Sequence, residues 1–177
     1  MSMSKKCYTL SQEQLTSLRA LCSEVRLIPA TGTRRRTGEN PKALSTYNYS
    51  RSFDWSAGQR ERFMQCVPDE HRARFNVGHF LEIPVRTGFL DRMVAWKGTL
   101  NCGYMISFNI GQHPAVVYLE DEAVEVGVGD ALCFSLAEVH EIKPTPQGQL
   151  WACVMLVGTP NTWVDELARL KELRNGN

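Results

Sequence analysis

The chain has 177 residues, enough for one domain with a sizeable core. Its 43% apolar and 22% charged residues are the balance of a globular protein in water, and a net charge of +1 excludes global attraction to nucleic acid or an anionic membrane. No apolar run approaches the ~18 residues of a transmembrane helix, and MSMSKKCYTL lacks a signal-peptide core. The expectation is a cytoplasmic protein with no membrane partner. Cys7, Cys22, Cys66, Cys102, Cys133 and Cys153 are scattered, with no C-x-x-C pair. They predict reduced thiols and no thiolate zinc site, with Cys133 and Cys153 as small core residues.

Along the chain, Ser11 caps a helix. Gln14 completes a capping box, Leu10 stands as a hydrophobic staple, and Leu15, Leu18, Leu21, Cys22 and Val25 recur at helical spacing. Pro29 ends that pattern. Residues 31–52, TGTRRRTGENPKALSTYNYSRS, are polar and predict a long basic loop. Arg34, Arg35, Arg36, Lys42 and Arg51 meet only Glu39 there, and Tyr47 and Tyr49 add aromatic faces. Such a loop could bind phosphates or single-stranded nucleic acid by charge and stacking, close as a lid over a site, or simply be solvated. Ser56 caps a second helix from Ala57 to about Cys66, and a short helix is predicted from Asp69 to Phe75, with His71 exposed on it. Phe80, Leu81 and Ile83 predict a short strand stopped by Pro84, with His79 at its edge.

From Met93 the pattern turns to strands. Met93 to Trp96, Tyr104 to Ile110, Ala115 to Leu119, Val124 to Val128, Leu132 to Phe134 and Val139 to Lys143 are the candidates. Trp151 to Val157 is a continuous apolar run, as in a strand covered on both faces. Trp163, Leu167, Leu170 and Leu173 place an amphipathic helix at the C-terminus. Closely spaced strands after a helical start predict a mostly β, α+β domain: a jelly roll with helices on one face. The predicted plan is one domain over 1–177, with a helical part at 1–75, a barrel core at 76–158 and a C-terminal helix at 159–177.

Gly129 and Asp130 at a turn, Phe134 closing a strand, then His140, Glu141 and Pro144 resemble the C-terminal half of the iron(II)/2-oxoglutarate-dependent oxygenases, especially the prolyl-hydroxylase-like group. That resemblance implies a double-stranded β-helix. It also implies a facial triad of two His and one carboxylate that leaves metal positions open for 2-oxoglutarate and oxygen. His140 matches the distal His. Phe89-Leu90-Asp91 falls on the family's His-x-Asp, so Asp91 matches the carboxylate and Phe89 replaces the first His. Gly148-Gln149-Leu150 falls on the Gly-x-Arg whose Arg would pair with the co-substrate, so Leu150 replaces the basic residue. His79 or His113 could supply the missing imidazole; Lys143, Arg92, Arg86 or Lys97 could supply the cation. A cupin site, which shares the barrel, needs a His-x-His that is absent from this sequence.

Two functional readings follow. One is a diverged, non-catalytic barrel without the full iron/2-oxoglutarate site, binding a small-molecule, protein or nucleic-acid ligand at the barrel mouth and the basic segment. The other is a non-haem iron(II), 2-oxoglutarate-dependent dioxygenase with His140, Asp91 and His79 on the metal.

Overall fold

The computed structural model describes residues 6–35, 44–52, 55–84, 89–91, 102–119, 122–135 and 140–157. Strand β1 (Lys6–Thr9) leads into helix α1 (Gln12–Glu24). The Ser11 hydroxyl accepts from the Gln14 amide at 3.1 Å and the Gln14 side chain accepts from the Ser11 amide at 2.9 Å, satisfying two donors the first turn would leave open. Next come β2 (Ile28–Arg35), β3 (Leu44–Ser52), α2 (Ala57–Met64) and the short α3 (Asp69–Arg72). Helix α2 opens with the same reciprocal box between Ser56 and Gln59.

The remaining described chain is strand: β4 (Phe75–Ile83), β5 (Phe89–Asp91), β6 (Cys102–Asn109), β7 (Ala115–Leu119), β8 (Glu122–Val126), β9 (Asp130–Ser135), β10 (His140–Ile142) and β11 (Gln149–Val157). They form a seven-stranded sheet in the order β1-β9-β6-β11-β4-β3-β2 and a four-stranded sheet in the order β5-β10-β7-β8. From β4 onward successive strands alternate between the two sheets, with β7 and β8 the one consecutive pair, and every pairing is antiparallel. That is the double-stranded β-helix expected from the sequence.

Strand alternation sorts the large sheet into two faces. Phe80, Ile106, Phe108, Cys133, Ala152, Val154 and Leu156 face outward and pack with Leu18, Leu21 and Phe63 of α1 and α2. Leu81, Ile83, Met105, Leu132, Phe134, Trp151 and Cys153 face inward and pack with Ala115, Val117, Leu119, Val124, Val126 and Ile142 of the small sheet. The barrel interior therefore has its own core, separate from the helix-covered one.

Several expectations are corrected. The basic segment is not one long loop: β2 and β3 pair from Ile28↔Arg51 to Arg35↔Leu44, and β3 joins β4 through Ser50↔Glu82 to Ser52↔Phe80. Its polar composition concealed strands because an edge hairpin draws on backbone bonds and β-formers such as Thr and Tyr rather than on an apolar face. His71 is buried, not exposed; its Nε2 lies 2.7 Å from the Tyr8 hydroxyl, which also bonds Glu70. Strand β1, which no sequence pattern announced, brings that Tyr to it.

Cys133 is disulfide-bonded rather than reduced. It lies on β9, between β1 and β6. Cys22, Cys66 and Cys153 form no disulfide and are buried, as expected of core thiols. Burial, with the Glu82 charge nearby, pushes the Cys22 thiol up to about 11, and burial also raises Cys66. Neither is a reactive thiolate. Among the described residues no helix is long and apolar enough to cross a membrane. The predicted strand at Met93 to Trp96 and the C-terminal helix lie outside the described residues.

Candidate functional site

Strand β10 lies between β5 and β7, and its first residue decides the geometry. His140 is the direct register partner of Asp91 on one side and of Leu119 on the other. Directly opposed residues in an antiparallel pair share a face of the sheet. Leu119 and Ile142 belong to the inter-sheet core, so positions 140 and 91 fall on the inward-turned face of the small sheet. Two residues that lie 49 apart in sequence (140 − 91) are thus neighbours on adjacent strands.

The opposing face, on the large sheet, carries the buried polar groups. His79, Ser107, Asn109 and Gln149 are all buried, and all alternate in phase with the inward residues of their strands. His79 on β4, Cys153 on β11 and Ser107 on β6 form one transverse row through the pairs Cys153↔His79 and Cys153↔Ser107. The Ser107 hydroxyl donates to the Cys153 sulfur at 3.6 Å. His79 is therefore an interior residue of the barrel rather than an edge residue of a short strand.

Asn109 and Gln149 are accounted for by structure. Asn109 Nδ2 donates to the His113 and Val126 carbonyls at 2.9 and 3.0 Å, and its Oδ1 accepts from the Gly111 amide at 3.1 Å. Gln149 Nε2 donates to the Lys143 carbonyl at 2.6 Å, while its Oε1 accepts from Trp151 Nε1 at 3.0 Å. Both lock the end of the barrel where β10 turns into β11. The alternation of Ser107 and Asn109 with Ile106 and Phe108 was visible in the sequence, but nothing local said which phase would face inward.

The other candidates separate. Lys143 is exposed and lies over the Tyr118 ring, its Nζ 4.7 Å from the ring centre, on the outer side of the small sheet. A cation there stands on the side of the small sheet opposite the inward face that holds position 140. Leu150 is also on the wrong side: it packs partly against the helix-covered core, and the inward residue beside it is the neutral Gln149. His113 is exposed in the bend after β6. Arg34, Arg35, Tyr47, Tyr49 and Arg51 lie on β2 and β3, whereas Arg36, Lys42, Arg92, Arg86 and Lys97 lie outside the described residues. Among the described residues no group of three or more His, Cys, Asp or Glu is placed to hold a metal ion.

No family model matches the sequence, and no curated protein matches it either. Solved structures do. A prolyl hydroxylase from Trichoplax adhaerens, in complex with a hypoxia inducible factor oxygen degradation domain peptide fragment, superposes with a TM-score of 0.58 at 12% identity, over 92% of this chain and 87% of that one. HygX from Streptomyces hygroscopicus, with nickel, 2-oxoglutarate and hygromycin B bound, gives 0.56 at 13% identity over 86% and 81%. A Pseudomonas putida prolyl-4-hydroxylase gives 0.55 at 14% identity over 88% and 92%. The fold is that of the iron(II)/2-oxoglutarate oxygenases.

The oxygenase group fits the residues of this barrel only in part. An imidazole position and a carboxylate position stand side by side on β10 and β5, which suits a metal of intermediate softness. The co-substrate half does not fit where the family resemblance would put it. No cation stands at position 149 or 150, and the amide of Gln149 is already engaged at both ends.

Proposed function

We propose that this protein is a diverged oxygenase-type barrel acting in the cytoplasm as a binding or accessory module, without the full iron/2-oxoglutarate site. The observation that carries the reading is the start of β11. The inward residue there is Gln149, closed into bonds with Lys143 and Trp151, and its neighbour Leu150 faces the helices. A dicarboxylate drawn into such an end would leave a charged group without a counter-charge, an arrangement that low-dielectric interiors strongly disfavour. Ligands of this module, whether a small molecule, a protein segment or a nucleic acid, would enter beside β5 and β10.

The register of His140 with Asp91, and the presence of His79 on the facing sheet, favour a second reading. In it the chain is an active iron(II) hydroxylase with an atypical ligand set: His140, Asp91 and His79 would hold iron, and Arg92 would supply the cation for 2-oxoglutarate. Iron so held would supply oxidising power toward a substrate C–H bond.

Anaerobic titration with iron(II), with and without 2-oxoglutarate, separates the two readings. The module reading expects weak or no iron binding that 2-oxoglutarate leaves unchanged. Stoichiometric iron that tightens with 2-oxoglutarate, and is lost in His140→Ala, would replace it with the enzyme reading.

A further inference from the structure

We propose that His79, Cys153 and Met155 form a copper(I) site on the inward face of the large sheet. The inference goes beyond the binding-module reading and comes from the register of β4, β11 and β6. Cys153 is the direct partner of His79 on β4 and of Ser107 on β6, while Met155, the next inward residue of β11, is the partner of Met105. Cys153, Met105 and Met155 pack into the inter-sheet core, and His79 and Ser107 alternate in phase with Leu81 and Met105. These residues therefore share one face.

Opposed residues on neighbouring antiparallel strands carry Cβ atoms about 5 Å apart, and successive inward residues of one strand lie about 7 Å apart. An imidazole, a thiol and a thioether at those spacings can converge on one ion, because the unbranched Met side chain turns its sulfur freely. Met105 is displaced from His79 by two strands and one inward step, roughly 12 Å, too far for both to hold the same ion. Among the described residues His, Cys and carboxylates alone make up no metal-holding group, so the thioether is what completes the set. Packing alone asks for no His and no Ser at these places. His79 is 3% exposed and Ser107 7%, and polar groups are held at such depth only by specific contacts.

The donor types select the metal. Thiolate with thioether is a soft set that prefers copper(I), whereas zinc is held by Cys, His and carboxylates. Charge points the same way. Binding releases the Cys153 proton to solvent, and the thiolate then neutralises a monovalent ion; a divalent ion would leave a net charge in an apolar interior. The Ser107 hydroxyl, which donates to the Cys153 sulfur at 3.6 Å, supplies the outer contact that orients a metal ligand. Met155 is partly exposed, whereas Gln149, Trp151 and Cys153 before it on the same face are buried. The site thus meets solvent on the side of the barrel away from Gln149.

The test is competition for copper(I), supplied without oxygen as its bicinchoninate complex, with the absorbance of that complex followed as the full chain is added. The expected result is stoichiometric withdrawal of copper by the wild type and none by Cys153→Ala. Ser107→Ala should weaken binding by about tenfold, and Met155→Leu, which nearly conserves volume, by at least as much. Met105→Leu should bind as the wild type does. So should Cys22→Ala and Cys66→Ala, which remove buried thiols of the helix-covered core.

Failure of the wild type to withdraw copper would overturn the proposal, as would equal effects of Met155→Leu and Met105→Leu, or a loss that follows Cys22 or Cys66. Met105 is the more buried methionine, so a packing defect would move its variant at least as much and cannot mimic the expected split. Zinc(II) bound as tightly as copper(I), and retained by Met155→Leu, would likewise overturn it. The iron titration tests the module reading through His140, whereas this competition reads Cys153 and Met155, so each fails separately.

Discussion

The two faces of the large sheet follow different rules. Outward, Phe80, Ile106, Phe108, Val154 and Leu156 meet α1 and α2 in a purely apolar packing, tightened by ring contacts of Phe80 with Trp55 at 5.4 Å and with Phe63 at 5.6 Å. Inward, the same strands bury His79, Ser107, Asn109 and Gln149 among apolar neighbours. Buried polar groups are held only where partners satisfy them, so the inward face gives up packing uniformity for polar positions. The contrast separates a surface that supplies stability from one that can host chemistry. It also places the candidate ligand positions, 91 and 140, opposite the second kind.

The largest effect expected on this contrast is at the outward face. Phe80→Ala should lower unfolding free energy by about 3–5 kcal/mol in a urea titration, because a fully buried ring leaves a cavity between sheet and helices. A loss below about 1 kcal/mol would mean that the helices do not clamp this face. Next comes the inward face: Gln149→Leu strips partners from the Lys143 carbonyl and the Trp151 indole, and should destabilise by about 1–3 kcal/mol. If the variant were as stable as wild type, the closed barrel end that argues against a co-substrate anchor would lose its support.

The smallest effect lies on neither face. Arg62 forms an exposed pair with Glu24 that joins α2 to α1, and its hydrogen bond holds the Glu24 carboxyl below the usual carboxylate range. A carboxyl depressed in the folded state adds stability above its unfolded value, and that stability is lost as pH falls through the lowered one. Arg62→Ala should therefore lower the urea midpoint only slightly at neutral pH and by progressively less as pH falls, so that its decline in acid is slightly flatter.

Much of the helix-covered side was legible in local sequence. Ser11 with Gln14 fixed the start of α1 because a capping box involves only residues three apart, and the alternation through Leu132, Phe134 and the run Trp151–Val157 marked β9 and β11. The candidate site was legible only as residue types. His140 and Asp91 could be named from the chain, yet that they are register partners follows from the hydrogen-bonded ladder between β10 and β5, two strands of three residues each, and β5 carries no pattern of its own. His71 was misread because its partner, Tyr8, arrives from a strand far away in sequence.

Sequence alone determined the starts of α1 and α2, most of the barrel strands other than β5, the resemblance to the oxygenase barrel, and the replacement of two of that family's site residues by Phe89 and Leu150. Those properties reside in residue identity and in short-range patterns. Tertiary structure decided which face of each strand turns inward, that residues 31–52 contribute β-strands rather than only a loop, and that Lys143 points away from the barrel interior. Strand periodicity sorts side chains into two sets but carries no label for inside and outside; only pairing with a distant strand supplies it.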